Sequence, residues 1–154
     1  MNILATQYTL KYKSFEVAIS GCKGKEGTHC SGCHSPETWD FEIGEPWTEW
    51  KERIAKKINA FSDMINWIWI YGGEPNDNNL DDLKEMLLFL KSFNKPLVLF
   101  TRYAFNEVPD FEKKICDFIK CGEYKDEYRI DDNIQYGIQI ATSNQKIYAK
   151  GMEY

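Results

Sequence analysis

Three of the five cysteines in this chain lie within twelve residues, and their spacing is the feature that points most directly to chemistry. They are Cys22, Cys30 and Cys33. Thiolates on one short segment can converge on a soft metal centre at little loop-closure cost. A structural zinc site needs four ligands, so His29 or His34 would have to complete it. A [4Fe-4S] cluster held by three cysteines would instead keep one iron open to a small molecule. The residues alone leave both interpretations open.

The composition is typical of a soluble globular protein. The 154 residues predict one domain, spanning residues 1–154, with a sizeable core. A net charge of −5, without a basic run, argues against nucleic acid as a direct partner. We find no membrane-spanning apolar run and no export signal, so we expect no membrane partner and a cytoplasmic location. In that reducing compartment, five cysteines indicate metal or redox chemistry before disulfides.

The hydrophobic pattern predicts strands that alternate with helices. Residues 1–13 are expected to be irregular, and residues 14–20 alternate as a strand that runs into Gly21-Cys22. The apolar run Met64–Tyr71 predicts a strand that is buried on both faces. The remaining predicted elements are helices starting near Pro46, after Asn79 and after Pro109, and strands over Leu97–Phe100 and Gln145–Ala149. Ile115–Lys120 could extend the last helix or form a strand, and we expect a strand that ends at Cys121-Gly122. This order predicts an α/β fold with a mostly parallel sheet and right-handed crossovers.

Three unusual loops follow the carboxyl ends of predicted strands. They are the cysteine segment, the turn Gly72-Gly73-Glu74-Pro75 and the turn at Thr101. Ligands of parallel sheets bind at that edge, so we expect these loops to form one site. Bare backbone at Gly72 and Gly73 can offer carbonyl groups to an amino-acid ammonium, and Glu74 can add charge or fix the turn.

The other candidate residues are expected to be structural. Cys116 and Cys121 lie apart from the cysteine segment and are expected to be buried apolar residues. Asp77, Asp81 and Asp82 are interpreted as helix-start charge. The sequence has no phosphate-binding loop and no nucleophile elbow.

At this point the chain resembles the radical S-adenosylmethionine (radical SAM) superfamily. Within it, the chain is similar to the activating proteins of anaerobic ribonucleoside-triphosphate reductases. The resemblance spans nearly the whole chain, although the family usually places three residues between its first two cysteines and this chain has seven. The matching pieces are Cys30–His34 continuing through Glu37–Phe41 to Gly44, Gly72–Pro75, Leu99–Thr101 with Tyr103, Asp117–Lys125, and Ser143–Lys146.

The resemblance implies a partial (incomplete) β/α barrel of radical SAM type and an oxidoreductase that works anaerobically. Cys22, Cys30 and Cys33 would hold a [4Fe-4S] cluster, and its open iron would bind the amino and carboxylate groups of S-adenosyl-L-methionine. Cleavage would give a 5′-deoxyadenosyl radical, which would generate a glycyl radical on the large subunit of the reductase. An electron donor such as flavodoxin would reduce the cluster, and no catalytic residue is implied beyond the cluster and cofactor. The implied cofactor-binding residues are Gly32, Cys33, His34, Gly72, Gly73 and Glu74.

Three alternatives remain. Within the superfamily, the chain could activate another glycyl-radical enzyme or act on a small molecule. The alternative from a different class is a non-enzymatic zinc-binding module that docks a partner.

Overall fold

The computed structural model describes residues 1–154 and is built around one seven-stranded sheet. Its strands are β1 (Asn2–Thr9), β2 (Ser14–Ile19), β3 (Glu45–Pro46), β4 (Trp67–Gly72), β5 (Leu97–Phe100), β6 (Phe118–Cys121) and β9 (Lys146–Ala149). A separate two-stranded hairpin consists of β7 (Ile134–Gln135) and β8 (Ile138–Gln139). The helices are α1 (Trp47–Ala60), α2 (Leu80–Lys91) and α3 (Asp110–Ile115). None of these helices combines the length and the apolar character that crossing a membrane would require.

The centre of the sheet is parallel. The strand order is β3-β1-β2-β4-β5-β6-β9, and β2, β4, β5 and β6 pair in parallel. The outer strands β1, β3 and β9 are antiparallel to their neighbours. The predicted α/β fold with a mostly parallel central sheet is therefore confirmed. The parallel arrangement brings the carboxyl ends of β2, β4, β5 and β6 to one edge, as the sequence predicted.

Alternate residues of the central strands face two different cores. Ile68 and Ile70 of β4 join the large core formed with the helices, whereas Trp69 joins a smaller core on the other face. Ile138 and Ile140, from the β7–β8 hairpin and the residue after it, belong to that smaller core. Period-two alternation therefore explains why helices cover one face of the sheet while a hairpin covers part of the other.

Several local predictions were wrong or incomplete. Residues 1–13 are not irregular, because β1 pairs along almost the whole length of β2 and forms one side of the sheet. The strand predicted over Met64–Tyr71 begins only at Trp67, after a short 3₁₀ turn. The β7–β8 hairpin was not predicted at all. The predicted strand over Ile115–Lys120 begins only at Phe118, because α3 continues to Ile115.

Candidate functional site

A cavity of about 300 Å³ opens at the carboxyl edge of the parallel strands. Cys22, Cys30 and Cys33 all line it, together with Gly72, Gly73 and Glu74. His34, Thr101 and Gln145 also contribute to the wall. Pieces that lie more than a hundred residues apart in sequence therefore meet at one place. This is the arrangement expected when three loops leave the same edge of a parallel sheet.

The cysteine loop, residues 22–34, closes by means of a tight turn. Lys25 and Thr28 exchange two backbone hydrogen bonds of 2.9 Å each, with Glu26 and Gly27 at the tip in left-handed conformations. These four residues are exposed. Without these four residues, three residues would separate Cys22 from Cys30. The long first gap is therefore a short spacing with a four-residue turn added to it.

His29 stabilises the base of this turn. Its Nε2 lies 2.7 Å from the carbonyl oxygen of Cys22, and its ring stacks on Trp39 with centroids 3.9 Å apart. The N–H of Cys22 donates to the carbonyl of Trp39 at 3.0 Å. The ring of His29 is half-buried, and its two contacts hold the first cysteine in place.

The thiols are half-buried and surround the cavity. Burial raises the pKa of Cys22 and Cys30 above the usual value of a thiol. No three histidine, cysteine, aspartate or glutamate side chains of residues 1–154 lie close enough together to hold a single metal ion. Three free thiols line the same cavity, and three cysteine thiolates are a donor set that an iron–sulfur cluster can use. The chemistry of the donor set therefore fits such a cluster.

Gly72 and Gly73 allow β4 to approach the base of the cysteine loop. A Cβ on Gly72 would lie 2.5 Å from the Ile19 carbonyl oxygen, and one on Gly73 would lie 2.4 Å from that of Gly21. The N–H groups of Gly73 and Glu74 donate to those same two carbonyls at 2.8 Å each. Only glycine permits so close a contact between backbones. The turn after β4 and the loop after β2 are therefore held together as one unit.

Glu74 joins the turn after β4 to the turn after β5. Its side chain is buried, and its carboxylate accepts hydrogen bonds from Thr101 Oγ1 at 2.6 Å, the Arg102 N–H at 2.7 Å and the Asn76 N–H at 3.0 Å. Burial raises the pKa of Glu74, and these three donors act against that rise. Glu74 therefore fixes the shape of the cavity wall through hydrogen bonds.

Asp77 extends this set of contacts to the cysteine loop. Its carboxylate binds the Arg102 guanidinium at 2.8 and 3.1 Å and accepts from Tyr103 Oη at 3.0 Å. It also accepts the N–H of Lys23 at 2.7 Å, one residue after the first cysteine. Asp77 was interpreted as helix-start charge, and that was wrong, because its carboxylate is buried in an ion pair. We call Glu74, Asp77, Thr101, Arg102 and Tyr103 the strand-end network.

A second buried carboxyl lies behind this network. Glu112 of α3 is fully buried, and its Oε2 lies 3.4 Å from Asn76 Nδ2, while its Oε1 has no partner. Burial raises the pKa of Glu112 to about 8. The carboxyl is therefore protonated at neutral pH. Sequence analysis did not single out this residue, since one glutamate in a short charged helix gives no signal.

The segment Ser143–Lys146 fixes one part of the cavity wall through side-chain hydrogen bonds. Gln145 is buried and donates to the Gly122 carbonyl at 3.0 Å, and Asn144 donates to the Glu123 carbonyl at 2.9 Å. These bonds fix the turn after β6, from which Gly122 and Tyr124 line the cavity, next to Lys120 of β6 itself.

The remaining predicted residues divide between the cavity and its surroundings. Gly32 does not line the cavity and lies in a left-handed turn beside Asp126. Cys116 and Cys121 are buried in the large core, as expected for apolar residues. Lys120 lines the cavity and was missed, although a lone lysine between Ile119 and Cys121 in a buried strand is an unusual signal.

The chain is similar to known proteins over most of its length. A protein family described as "4Fe-4S single cluster domain" matches residues 14–147. The chain is 25% identical over 105 residues to the anaerobic ribonucleoside-triphosphate reductase-activating protein of Salmonella typhimurium. It is 24% identical over 105 residues to the protein of the same name from Escherichia coli K12. Each alignment covers 66% of this chain and 66% of the relative.

Proposed function

Because the chain belongs to the family of 4Fe-4S single cluster domains, we propose that Cys22, Cys30 and Cys33 hold a [4Fe-4S] cluster at the cavity. The observation that carries this proposal is the convergence of all three cysteines with Gly72, Gly73 and Glu74 on one cavity. Three thiolates leave one iron without a protein ligand, and the cavity gives a small molecule access to it. We propose that this molecule is S-adenosyl-L-methionine, as the resemblance to radical SAM enzymes implies.

The proposed activity is that of a glycyl-radical-enzyme activase. When bound and reduced, the cluster supplies one electron for cleavage of S-adenosyl-L-methionine into methionine and a 5′-deoxyadenosyl radical. Transfer of a hydrogen atom from a glycine of the partner then gives 5′-deoxyadenosine and a glycyl radical. The electron comes from an external reductant of the flavodoxin class. Relatives named as anaerobic ribonucleoside-triphosphate reductase-activating proteins support the large subunit of such a reductase as the partner.

In this proposal the residues of the chain bind the ligand and orient it. The Gly73 carbonyl accepts no hydrogen bond from the chain, so it is free for the methionine ammonium. His34 and Cys33 line the cavity and are proposed to pass beside the adenosyl group, with the Gly32 turn positioning them. Glu74 supports this surface through its three hydrogen bonds. In this proposal the sheet is a partial barrel whose open side admits the partner.

The test compares wild-type protein with two cysteine variants, all purified and reconstituted without oxygen. Wild-type protein should be brown, bleach on reduction, convert S-adenosyl-L-methionine to 5′-deoxyadenosine, and give a glycyl radical signal with the reductase from the same organism. Cys30→Ala should lose the stable cluster and at least about a hundredfold of the cleavage rate, because two thiolates do not secure the cube.

Cys116→Ala is the matched control, because it removes a thiol from the core and should keep both colour and cleavage. A colourless protein that holds one zinc ion would overturn the proposal in favour of a zinc-binding module. Formation of 5′-deoxyadenosine without a glycyl radical signal would overturn the choice of partner.

A further inference from the structure

A second cavity, of about 430 Å³, adjoins the cavity that the cysteines line. Arg102 and Gly122 belong to the walls of both, so the two spaces lie side by side at the carboxyl edge of the sheet. The rest of the second wall comes from Gly24–Glu26 at the added turn of the cysteine loop, the segment after β5, the turn after β6 and Asn144. The added turn therefore forms one wall of a space that opens next to the cysteines.

The charged side chains of the second cavity divide into two groups. Arg102 is paired with Asp77, and the Glu107 carboxylate accepts the N–H of Ala104 at 2.9 Å. Four others form no ion pair within the chain: Lys25 and Glu26 from the added turn, and Glu123 and Lys125 from the turn after β6. Each of these two walls thus offers one cation and one anion to a partner.

Both walls that carry the unpaired charges have a fixed backbone. In the added turn, Lys25 and Thr28 exchange two backbone hydrogen bonds, and Glu26 at the tip has a left-handed φ of 51°. The turn after β6 is held by the side chains of Asn144 and Gln145. A groove whose walls are ordered before binding loses little conformational entropy when a partner docks. The second cavity is therefore preorganised for an occupant.

The chemistry of the wall selects the kind of occupant. Only Tyr103 and Ala104 give the second cavity apolar surface, so it offers no apolar pocket for a large side chain. An occupant gains most from charge-assisted hydrogen bonds to the two lysines and the two glutamates. A partner with charges of one sign would be repelled by half of these groups. The wall therefore favours a polar peptide segment that carries both acidic and basic side chains.

The proposed function requires a glycine of a protein partner to reach the first cavity, and the chain on either side of that glycine must then lie on adjoining surface. We propose that the second cavity is the docking groove for the segment that flanks the radical-bearing glycine of the reductase. The four unpaired side chains of its wall bind the charged side chains of that segment. This inference rests on the proposed function and assigns a role to the added turn.

The test compares two double variants with the same change in net charge, each loaded with its cluster. Lys25→Glu/Lys125→Glu reverses two charges in the second cavity. Lys56→Glu/Lys84→Glu reverses two exposed lysines on α1 and α2. Calorimetry with the reductase large subunit from the same organism should show a loss of affinity of about tenfold in the first variant and less than about twofold in the second, because attractions to acidic side chains become repulsions only in the groove. Without the reductase, both variants should form 5′-deoxyadenosine within about twofold of the wild-type rate.

Carbodiimide crosslinking locates the contact, because it joins a lysine amine to a carboxylate that touches it. Mass spectrometry of the crosslinked wild-type complex should find Lys25 or Lys125 joined to an acidic residue in the reductase segment that contains the radical-bearing glycine. Crosslinks from these two lysines only to other segments of the reductase would overturn the docking assignment.

The possible failures are distinguishable. Equal affinities in the two double variants would overturn the role of the second cavity, while cleavage of S-adenosyl-L-methionine by the wild-type protein upheld the proposed function. The role would also be overturned if Lys25→Glu/Lys125→Glu slowed reduction of the cluster by flavodoxin and left the affinity for the reductase unchanged, since the groove would then receive the electron donor. If the wild-type protein did not cleave S-adenosyl-L-methionine, the proposed function would fail and this inference with it.

Discussion

The two sides of the cavity are built by different means. The cysteine loop consists largely of exposed or half-buried residues and is closed by a tight turn and one histidine contact. The strand-end network consists of largely buried polar side chains that are joined to one another by hydrogen bonds and an ion pair. The side that we propose to recognise the small molecule is thus formed by the fold itself. The side that we propose to hold the metal contributes mainly free thiols.

This difference teaches how the stability and the chemistry of the site are separated. Buried polar networks are costly to disturb because each lost partner leaves a desolvated group behind. Metal ligands on a surface loop contribute little until the metal binds, and then metal binding adds stability. We therefore expect substitutions in the strand-end network to destabilise the metal-free protein, and substitutions in the cysteine loop to affect metal binding with little change in metal-free stability.

The largest expected effect is that of Glu74→Ala. It removes the acceptor of three hydrogen bonds in a buried place and should lower the free energy of unfolding of the metal-free protein by roughly 3 kcal/mol. Urea denaturation followed by circular dichroism measures this change. Glu37→Ala is the matched control on an exposed carboxylate beside the cysteine loop and should stay within about 0.5 kcal/mol of wild type. Similar losses of stability in Glu74→Ala and Glu37→Ala would contradict the predicted difference between the two sides of the cavity.

The next effect is a pH dependence that Glu112 produces. Its pKa is about 8 in the folded protein and 4.5 in an unperturbed carboxyl, so the unfolded chain releases the proton first. As pH rises from 4.5 towards 8, the free energy of unfolding of the wild-type protein should therefore fall relative to that of Glu112→Gln. The glutamine of the variant has no ionisable group. The variant should be more stable than wild type by about 3 kcal/mol at pH 7 and nearly equal to it at pH 4. Urea denaturation of both metal-free proteins from pH 4 to 8 tests this, and a constant difference across the range would contradict it.

The smallest effect is predicted for deletion of Lys25–Thr28. The ends of this turn already lie side by side, so the deletion should leave three residues between Cys22 and Cys30 without moving either cysteine far. Iron and sulfide content after reconstitution should stay within about 20% of wild type, because loop closure depends only weakly on length. Loss of the cluster in the deletion variant would mean that the added turn itself shapes the metal side of the cavity.

Much of the site followed from the sequence because it depends on strand order. Once β2, β4 and β5 were recognised as parallel strands, their carboxyl ends had to share an edge, and the three loops had to meet. The exact partners of Asp77 could not be predicted in this way. Its ion pair joins residues 25 positions apart, and only side-chain packing decides that it points at Arg102.

Two elements were not predicted, because their local sequence patterns are weak and their structure depends on long-range contacts. Strand β1 carries polar residues such as Thr6, Gln7 and Thr9 at the side of the sheet, so its alternation is weak, and pairing with β2 determines its structure. The β7–β8 hairpin is only two residues long on each side and gives no periodic signal. Its burial against Trp69 and Val98 is a long-range effect.

The turn over Lys25–Thr28 is also a site at which a peptide could be inserted. Its two ends are joined by a reciprocal pair of hydrogen bonds, and its residues are exposed. A foreign peptide inserted at its tip would begin and end at nearly the same place, so the cysteines on either side need not adjust. A spin-labelled or fluorescent insert at this point would test whether the proposed protein partner approaches the cysteine loop.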